Sequence, residues 1–209
     1  RYQRVLQQQK GYDDVPDSVR IAKPNDYYLG NANSQFVRVQ YAYKDYLKLG
    51  FVAEKDPGEP FLPESDTLRK GFDFYSAHLF IKNMGVVKQL AIGDYHVQFG
   101  QGLTMWSGFS VGKAAGSVVM RKRAPALRPH ASSNEYAFLR GGAATIGLGK
   151  FDLTAFYSNR RVDANLVQAD TANSTEEMVT SLQETGYHRT PAEIADKGAN
   201  HEIAGGGHL

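Results

Sequence analysis

The run Gly142-Ala143-Ala144-Thr145-Ile146-Gly147-Leu148-Gly149-Lys150-Phe151-Asp152-Leu153-Thr154-Ala155-Phe156-Tyr157 reads as two strands joined by a two-residue turn. Gly at the first turn position is what a type II′ hairpin prefers. That turn pairs Leu148 with Phe151, Ile146 with Leu153, Ala144 with Ala155 and Gly142 with Tyr157, so one face is continuous and apolar. The other face sets Thr145 against Thr154 and Gly147 against Asp152. An apolar face turned out and a polar face turned in is the pattern of a membrane barrel wall.

A second hairpin passes the same parity test. With Asp45 at the centre of a three-residue turn, Tyr43 faces Leu47, Tyr41 faces Leu49, Val39 faces Phe51 and Val37 faces Ala53. Arg38, Gln40 and Ala42 then meet Lys48, Gly50 and Val52 on the side of a wet lumen. A third pair of strands is less regular. Tyr75, Ala77, Leu79 and Ile81 form an outer face, but Gln89 is in phase with them while Leu90 and Ile92 are not. Further along, Tyr95, Val97 and Phe99 alternate with Asp94, His96 and Gln98, again apolar out and polar in, and a bulge near Gly93 would reconcile the two halves.

These hairpins extend to eight candidate strands, at 1–9, 35–43, 47–54, 71–81, 86–99, 135–148, 151–162 and 201–209. Tight joints near Lys44 to Tyr46, Lys82 to Gly85 and Gly149-Lys150 alternate with long polar connections at 10–34, 55–70, 100–134 and 163–200. The expected fold is an all-β, antiparallel, up-and-down transmembrane β-barrel with short periplasmic turns and long extracellular loops. The chain is read as one barrel domain over 1–209. Its start on Arg1-Tyr2-Gln3 and its stop at Gly207-His208-Leu209, both inside strand-like sequence, make the expectation an arc of a larger barrel.

Composition fits this plan. No window approaches the ~18 apolar residues of a spanning helix, which excludes a helical membrane protein. The 21 Gly, 12 Tyr and 11 Phe suit paired strands with aromatic girdles rather than a helical bundle. Cysteine is absent, so disulfides, thiolate metal sites and thiol nucleophiles drop out together. A net charge of +2 from mixed charges gives no global field for nucleic acid.

The loops carry the remaining signals. Asp56-Pro57-Gly58-Glu59-Pro60 reads as a rigid turn-rich cap, and Thr190-Pro191-Ala192-Glu193 as a helix start with Thr at the N-cap. Lys113, Arg121, Lys122, Arg123 and Arg128 form a basic loop with no acid until Glu135. Three roles are open to it: a surface for lipopolysaccharide phosphates, a loop folded inward to constrict a pore, or a solvated run paired with Asp163, Asp170, Glu176, Glu177 and Glu184. Trp106 reads as an interfacial anchor at the outer rim.

Catalytic and metal signatures are thin. Asp94 and His96 with Ser107 supply the residue types of a hydrolase, but no G-x-S-x-G elbow accompanies them. The six histidines show no ligand spacing, and Gly141-Gly142 and Gly205-Gly206-Gly207 lack the Lys-Ser/Thr ending of a phosphate loop. Those glycines read as points where the wall bends. No catalytic residue, metal or cofactor is therefore expected.

Several runs resemble a known family: Ala53 to Phe61, Gly71 to His78, Gly93-Asp94-Tyr95-His96-Val97-Gln98-Phe99-Gly100-Gln101-Gly102-Leu103 and Gly186-Tyr187-His188-Arg189-Thr190. They are similar to large envelope proteins of Bacteroidota usually labelled for N-terminal helix-hairpin-helix repeats. The resemblance covers most of 35–209 and implies an outer-membrane barrel whose helical repeats lie outside this segment. Such repeats elsewhere bind the DNA backbone, but nothing in these residues carries that activity.

The resulting expectation is a non-enzymatic outer-membrane barrel, either a channel or a structural member of an envelope complex. Its lumen-facing residues would be Arg38, Gln40, Lys48, Asp94, His96, Gln98 and Asp152. Its partners would be outer-membrane lipid, lipopolysaccharide and other outer-membrane proteins, with no nucleic acid expected. A secreted β-sandwich adhesin or carbohydrate-binding module is the alternative, and a hydrolase at the rim is a third reading.

Overall fold

The computed structural model describes residues 1–7, 9–62, 70–108, 125–171 and 174–209. It is mostly antiparallel β-sheet with few helices. The described residues form twelve strands: β1 (Tyr2–Arg4), β2 (Asn33–Tyr43), β3 (Leu47–Lys55), β4 (Phe74–Met84), β5 (Val87–Phe99), β6 (Met105–Trp106), β7 (Leu127–Pro129), β8 (Leu139–Leu148), β9 (Phe151–Val162), β10 (Ala164–Thr171), β11 (Ser174–Leu182) and β12 (Asn200–His208). Two six-residue helices, α1 (Asp17–Ala22) and α2 (Pro191–Asp196), lie in the connections.

Ten strands make one sheet in the order β1-β2-β3-β4-β5-β8-β9-β12, with β6 and β7 both added to β5. Among the described residues β12 does not pair with β1, so the sheet is not closed into a barrel. The expected first strand, 1–9, shrinks to Tyr2–Arg4, which pairs with Asn33–Gln35. Strands β10 and β11 form a separate two-stranded sheet inside a stretch expected to be loop. The residues cluster into two compact units. One holds 1–38, 52–75 and 161–201, and the other holds 39–51, 76–160 and 202–209.

In the second unit the β8–β9 hairpin has the register that parity requires, with Leu148↔Phe151, Ile146↔Leu153, Ala144↔Ala155 and Gly142↔Tyr157. Gly149 takes φ +66 at the turn while Lys150 stays outside the left-handed region, as a type II′ turn demands. The β4–β5 hairpin corrects the expectation. Leu79 pairs with Ile92, Ile81 with Leu90 and Lys82 with Gln89, so the four apolar residues share one face after all. The β5–β8 ladder runs through Gly93 without a shift, and its irregularity lies between Val87 and Gln89 instead.

The upper half of β5 also departs from expectation. Tyr95, Val97 and Phe99, expected on an outward belt, are buried in a cluster with Phe80, Ala91, Leu127, Leu139 and Ala143. The reason lies in the connection that follows. Instead of leaving as a free loop, the chain returns twice to β5, pairing Trp106 with Gln98 and Leu127 with Val97. Trp106 is accordingly half-buried against β5.

Glycine makes this packing possible at two places. Gly93 has φ +91, and a Cβ there would lie 2.3 Å from the Ala77 carbonyl oxygen. Gly141 has φ +152, and a Cβ there would lie 2.3 Å from the Tyr157 carbonyl oxygen. That same oxygen accepts the Tyr95 hydroxyl at 2.7 Å, with a longer contact from the hydroxyl to Gly142 O at 3.2 Å. The bare backbone lets a tyrosine ring lie across two strands and satisfy its hydroxyl while fully buried.

Candidate functional site

The first unit contains a buried ionic cluster centred on His188, a residue that the sequence offers only as one of six scattered histidines and as part of a resemblance. Its position follows from local signals. Thr190 caps α2 by accepting the Glu193 amide, and Glu193 accepts the Thr190 amide in return. Glu193 also accepts the Arg189 amide at 2.7 Å, which fixes the backbone on the C-terminal side of His188. The Arg189 guanidinium is held by Glu193 at 2.9 Å and lies over the rings of Tyr187 and Tyr28, 4.2 and 4.8 Å from their centres.

His188 is 2% exposed, and both ring nitrogens meet carboxylates. Nδ1 is 2.5 Å from Asp73 Oδ2, and Nε2 is 3.1 Å from Asp163 Oδ2. A ring with an acceptor at each nitrogen holds both protons, so His188 is an imidazolium. Burial works against that charge, but hydrogen bonds to Asp163 and Asp73 outweigh it and push the pKa up to about 10.

The surrounding groups complete the cluster. Lys197 reaches Asp73 Oδ1 at 2.5 Å and the Asp73 carbonyl at 3.0 Å, while Asp163 Oδ1 accepts the Gly198 amide at 2.7 Å. Burial opposes the charge of both aspartates, but the hydrogen bonds from His188, helped by Lys197 and at Asp163 by the Gly198 amide, hold them below the usual carboxylate range. Glu59 is different. Its two oxygens accept the amides of His188 and Asp56, yet burial and the nearby charge of Asp73 push its pKa up to about 7.

Glu59, Asp73 and His188 bring ligand-type atoms within 4.8 Å of one another, so a metal must be considered. The donors do not fit one. Each Glu59 oxygen already accepts a backbone amide, both Asp73 oxygens already face cations, and His188 Nδ1 and Asp73 Oδ2, 2.5 Å apart, are hydrogen-bonded to each other rather than set as two ligands of one ion. The cluster is a clasp. It ties the turn at Asp56–Glu59, Asp73 before β4, Asp163 after β9 and the segment 188–198 into one fastened body.

The expected lumen residues differ in exposure and partners. Arg38 and Gln40 are exposed on β2, Lys48 is half-buried on β3, and Arg38 lies over Phe36 at 5.9 Å. Asp152 is half exposed and ion-paired with Lys88. Asp94 and Gln98 are buried, at 1% and 4% exposure, and do not face open solvent. Arg140 grips Asp94 through Nε at 2.7 Å and a terminal nitrogen at 2.8 Å. His96 Nε2 lies 3.0 Å from His130 Nδ1, and Phe138 stacks on His130 at 4.6 Å.

The hydrolase trio is not assembled. The Ser107 hydroxyl is spent on the Val97 backbone at 2.6 and 3.2 Å, Asp94 on Arg140 and His96 on His130. Of the basic loop, Arg128 is exposed on β7 opposite His96, while Lys113, Arg121, Lys122 and Arg123 lie outside the described residues. The partners that sequence missed are Arg140, His130, Glu59, Asp73 and Asp163. Only the Thr190-Pro191-Ala192-Glu193 cap pointed toward any of this. No family model, curated protein or solved structure matches the chain significantly.

Proposed function

We propose that this chain is a non-enzymatic outer-membrane β-barrel protein, a channel or structural component of an envelope complex, and that its sheet is barrel wall. The observation that carries the reading is the inverted polarity of β8 and β9. Leu148, Phe151, Leu153 and Tyr157 are exposed, by 53, 62, 39 and 53%, while Thr145, Thr154 and Ser158 on the opposite face are buried. Water is a poor environment for the first set and hydrocarbon a good one, whereas a soluble sandwich would bury it. Val39, Tyr41, Leu49, Phe51 and Ile92 extend the exposed apolar surface, at 41 to 60% exposure.

A cavity of about 1240 Å³ supports the channel form. It is lined by polar residues of β4, β5, β8 and β9, Lys82, Lys88, Gln89, Thr145, Asp152 and Thr154, together with Phe151 and Leu209 among others. Among the described residues no helix is long and apolar enough to cross a membrane.

The test is fractionation of the native protein followed by electrophoresis with and without boiling. Outer-membrane retention with a heat-dependent mobility shift is expected, and conductance in a planar bilayer then separates channel from structural component. A soluble, unshifted band would remove the barrel and favour the secreted adhesin.

A further inference from the structure

The clasp is the floor of a small cavity in the same unit, about 230 Å³ in volume, walled by Gln183, Thr185, Tyr187, Arg189, Glu193 and Asp196. Its lining divides into groups that are committed and groups that are not. Asp163 and His188 hold each other, and Arg189 holds Glu193. Among the described residues, the side chains of Gln183, Thr185, Tyr187 and Asp196 make no hydrogen bond or ion pair with another residue. The charged floor is internally paired while the walls keep their bonding capacity.

That capacity defines the occupant. The Gln183 amide and the hydroxyls of Thr185 and Tyr187 both donate and accept, and the Asp196 carboxylate accepts. A matching ligand carries several groups that likewise do both, which is the chemistry of adjacent hydroxyls. An anion is disfavoured, because the one guanidinium present is committed to Glu193 and to two tyrosine rings. The volume lies below the ~300 Å³ at which drug-sized pockets begin, so one small ring fills it. Tyr187 is 41% exposed, and Arg189 occupies one side of its ring. The other side offers an apolar platform of the kind that C–H groups of a sugar ring stack on.

We propose that this cavity binds a single neutral saccharide ring, a hexose-type unit, with Asp196 and Gln183 reading its hydroxyls and Tyr187 its apolar face. The site stands apart from the membrane reading, since it needs only the fastened loops. The same ring chemistry could come from a soluble glycan or from the core sugars of lipopolysaccharide.

The test is ligand-observed NMR on the purified full chain, kept in buffer or in a zwitterionic detergent that has no sugar head group. One arm uses a panel of neutral monosaccharides, and a second uses the delipidated core oligosaccharide of lipopolysaccharide. Binding in either arm is expected, and the arm that binds identifies the source. Asp196→Asn and Gln183→Ala are each expected to weaken it at least tenfold with an unchanged melting temperature. Absence of saturation transfer in both arms overturns the proposal, as does binding that both variants retain. Calcium alone producing the Asp196-dependent response also overturns it, in favour of a cation site.

Discussion

Thr145 and Thr154 face each other across β8 and β9 with their hydroxyl oxygens 2.9 Å apart, 5% and 2% exposed, directly beside the pair of half-buried Ile146 and exposed Leu153. Polar side chains are thus buried where apolar ones are bare. That inversion makes the outer face the sensitive one in a bilayer. Leu153→Arg is expected to destabilise the folded protein in lipid by about 2–4 kcal/mol if its site is near the midplane, and less near an interface. The same change should be nearly silent in a soluble protein, because Leu153 is 39% exposed. Reversible urea unfolding in lipid vesicles reads the difference, and a cost under about 0.5 kcal/mol would count against the membrane assignment.

Arg140 and Asp94 form a two-pronged pair in which only the arginine reaches solvent, with side-chain exposures of 45% and 2%. Arg140→Met leaves a buried carboxylate without its cation and is expected to cost about 3 kcal/mol. Replacing both residues by an apolar pair should recover most of that loss. A double-mutant cycle checks this, and equal losses in the single and double variants would refute the pairing argument.

Tyr95→Phe removes the hydroxyl bonds to Tyr157 and Gly142 and is expected to cost about 1 kcal/mol. Gly141→Ala should cost more, since its Cβ would meet the Tyr157 carbonyl at 2.3 Å on a backbone with φ +152. The ranking, read from urea midpoints, is the prediction. A milder effect of Gly141→Ala would mean that the strand crossing is looser than described.

The clasp has a defined pH dependence. His188 is raised from 6.5 to about 10, so its stabilisation is complete below about 6.5 and is lost as pH rises through about 10. Asp73 and Asp163 are lowered from 3.8, so theirs is present above that value and lost as pH falls through the lower folded pKa. Glu59 is raised from 4.5 to about 7, and its contribution is lost as pH rises through 7. Protection of the segment around 188–198 is therefore expected to peak between about pH 4 and 4.5, to step down as pH rises from there to about 7, and to fall again between about 6.5 and 10. Hydrogen exchange followed against pH measures this. Glu59→Gln should abolish the step near 7 and leave the loss near 10, whereas an unchanged step would assign it to another group.

Thr190→Ala removes one half of the capping box and is expected to loosen α2 by about 1 kcal/mol. Because Glu193 also holds Arg189, the loss should appear as faster amide exchange at Arg189 as well as within α2. Exchange confined to the helix would show that the cap and the clasp are uncoupled.

Much of the sheet was legible in the residues themselves. Side-chain direction alternates with period two, so the register of Phe151–Tyr157 against Gly142–Leu148 follows from which residues are apolar and from Gly149 at the turn. The helix at Pro191 was legible for a similar reason, because a capping box closes within four residues. Such signals are local and sit wholly in neighbouring positions.

What the tertiary structure alone decided is where distant segments meet. The return of Leu127 and Trp106 to β5 turned Tyr95, Val97 and Phe99 from an expected outer belt into core, and no periodicity announces a chain folding back on its own strand. The pairing of His188 with Asp73, 115 residues away, and with Asp163, 25 residues away, left no pattern either. Charges in separate loops carry no sign of one another until the backbone brings them together, and only burial then turns a lone histidine into an imidazolium clasp.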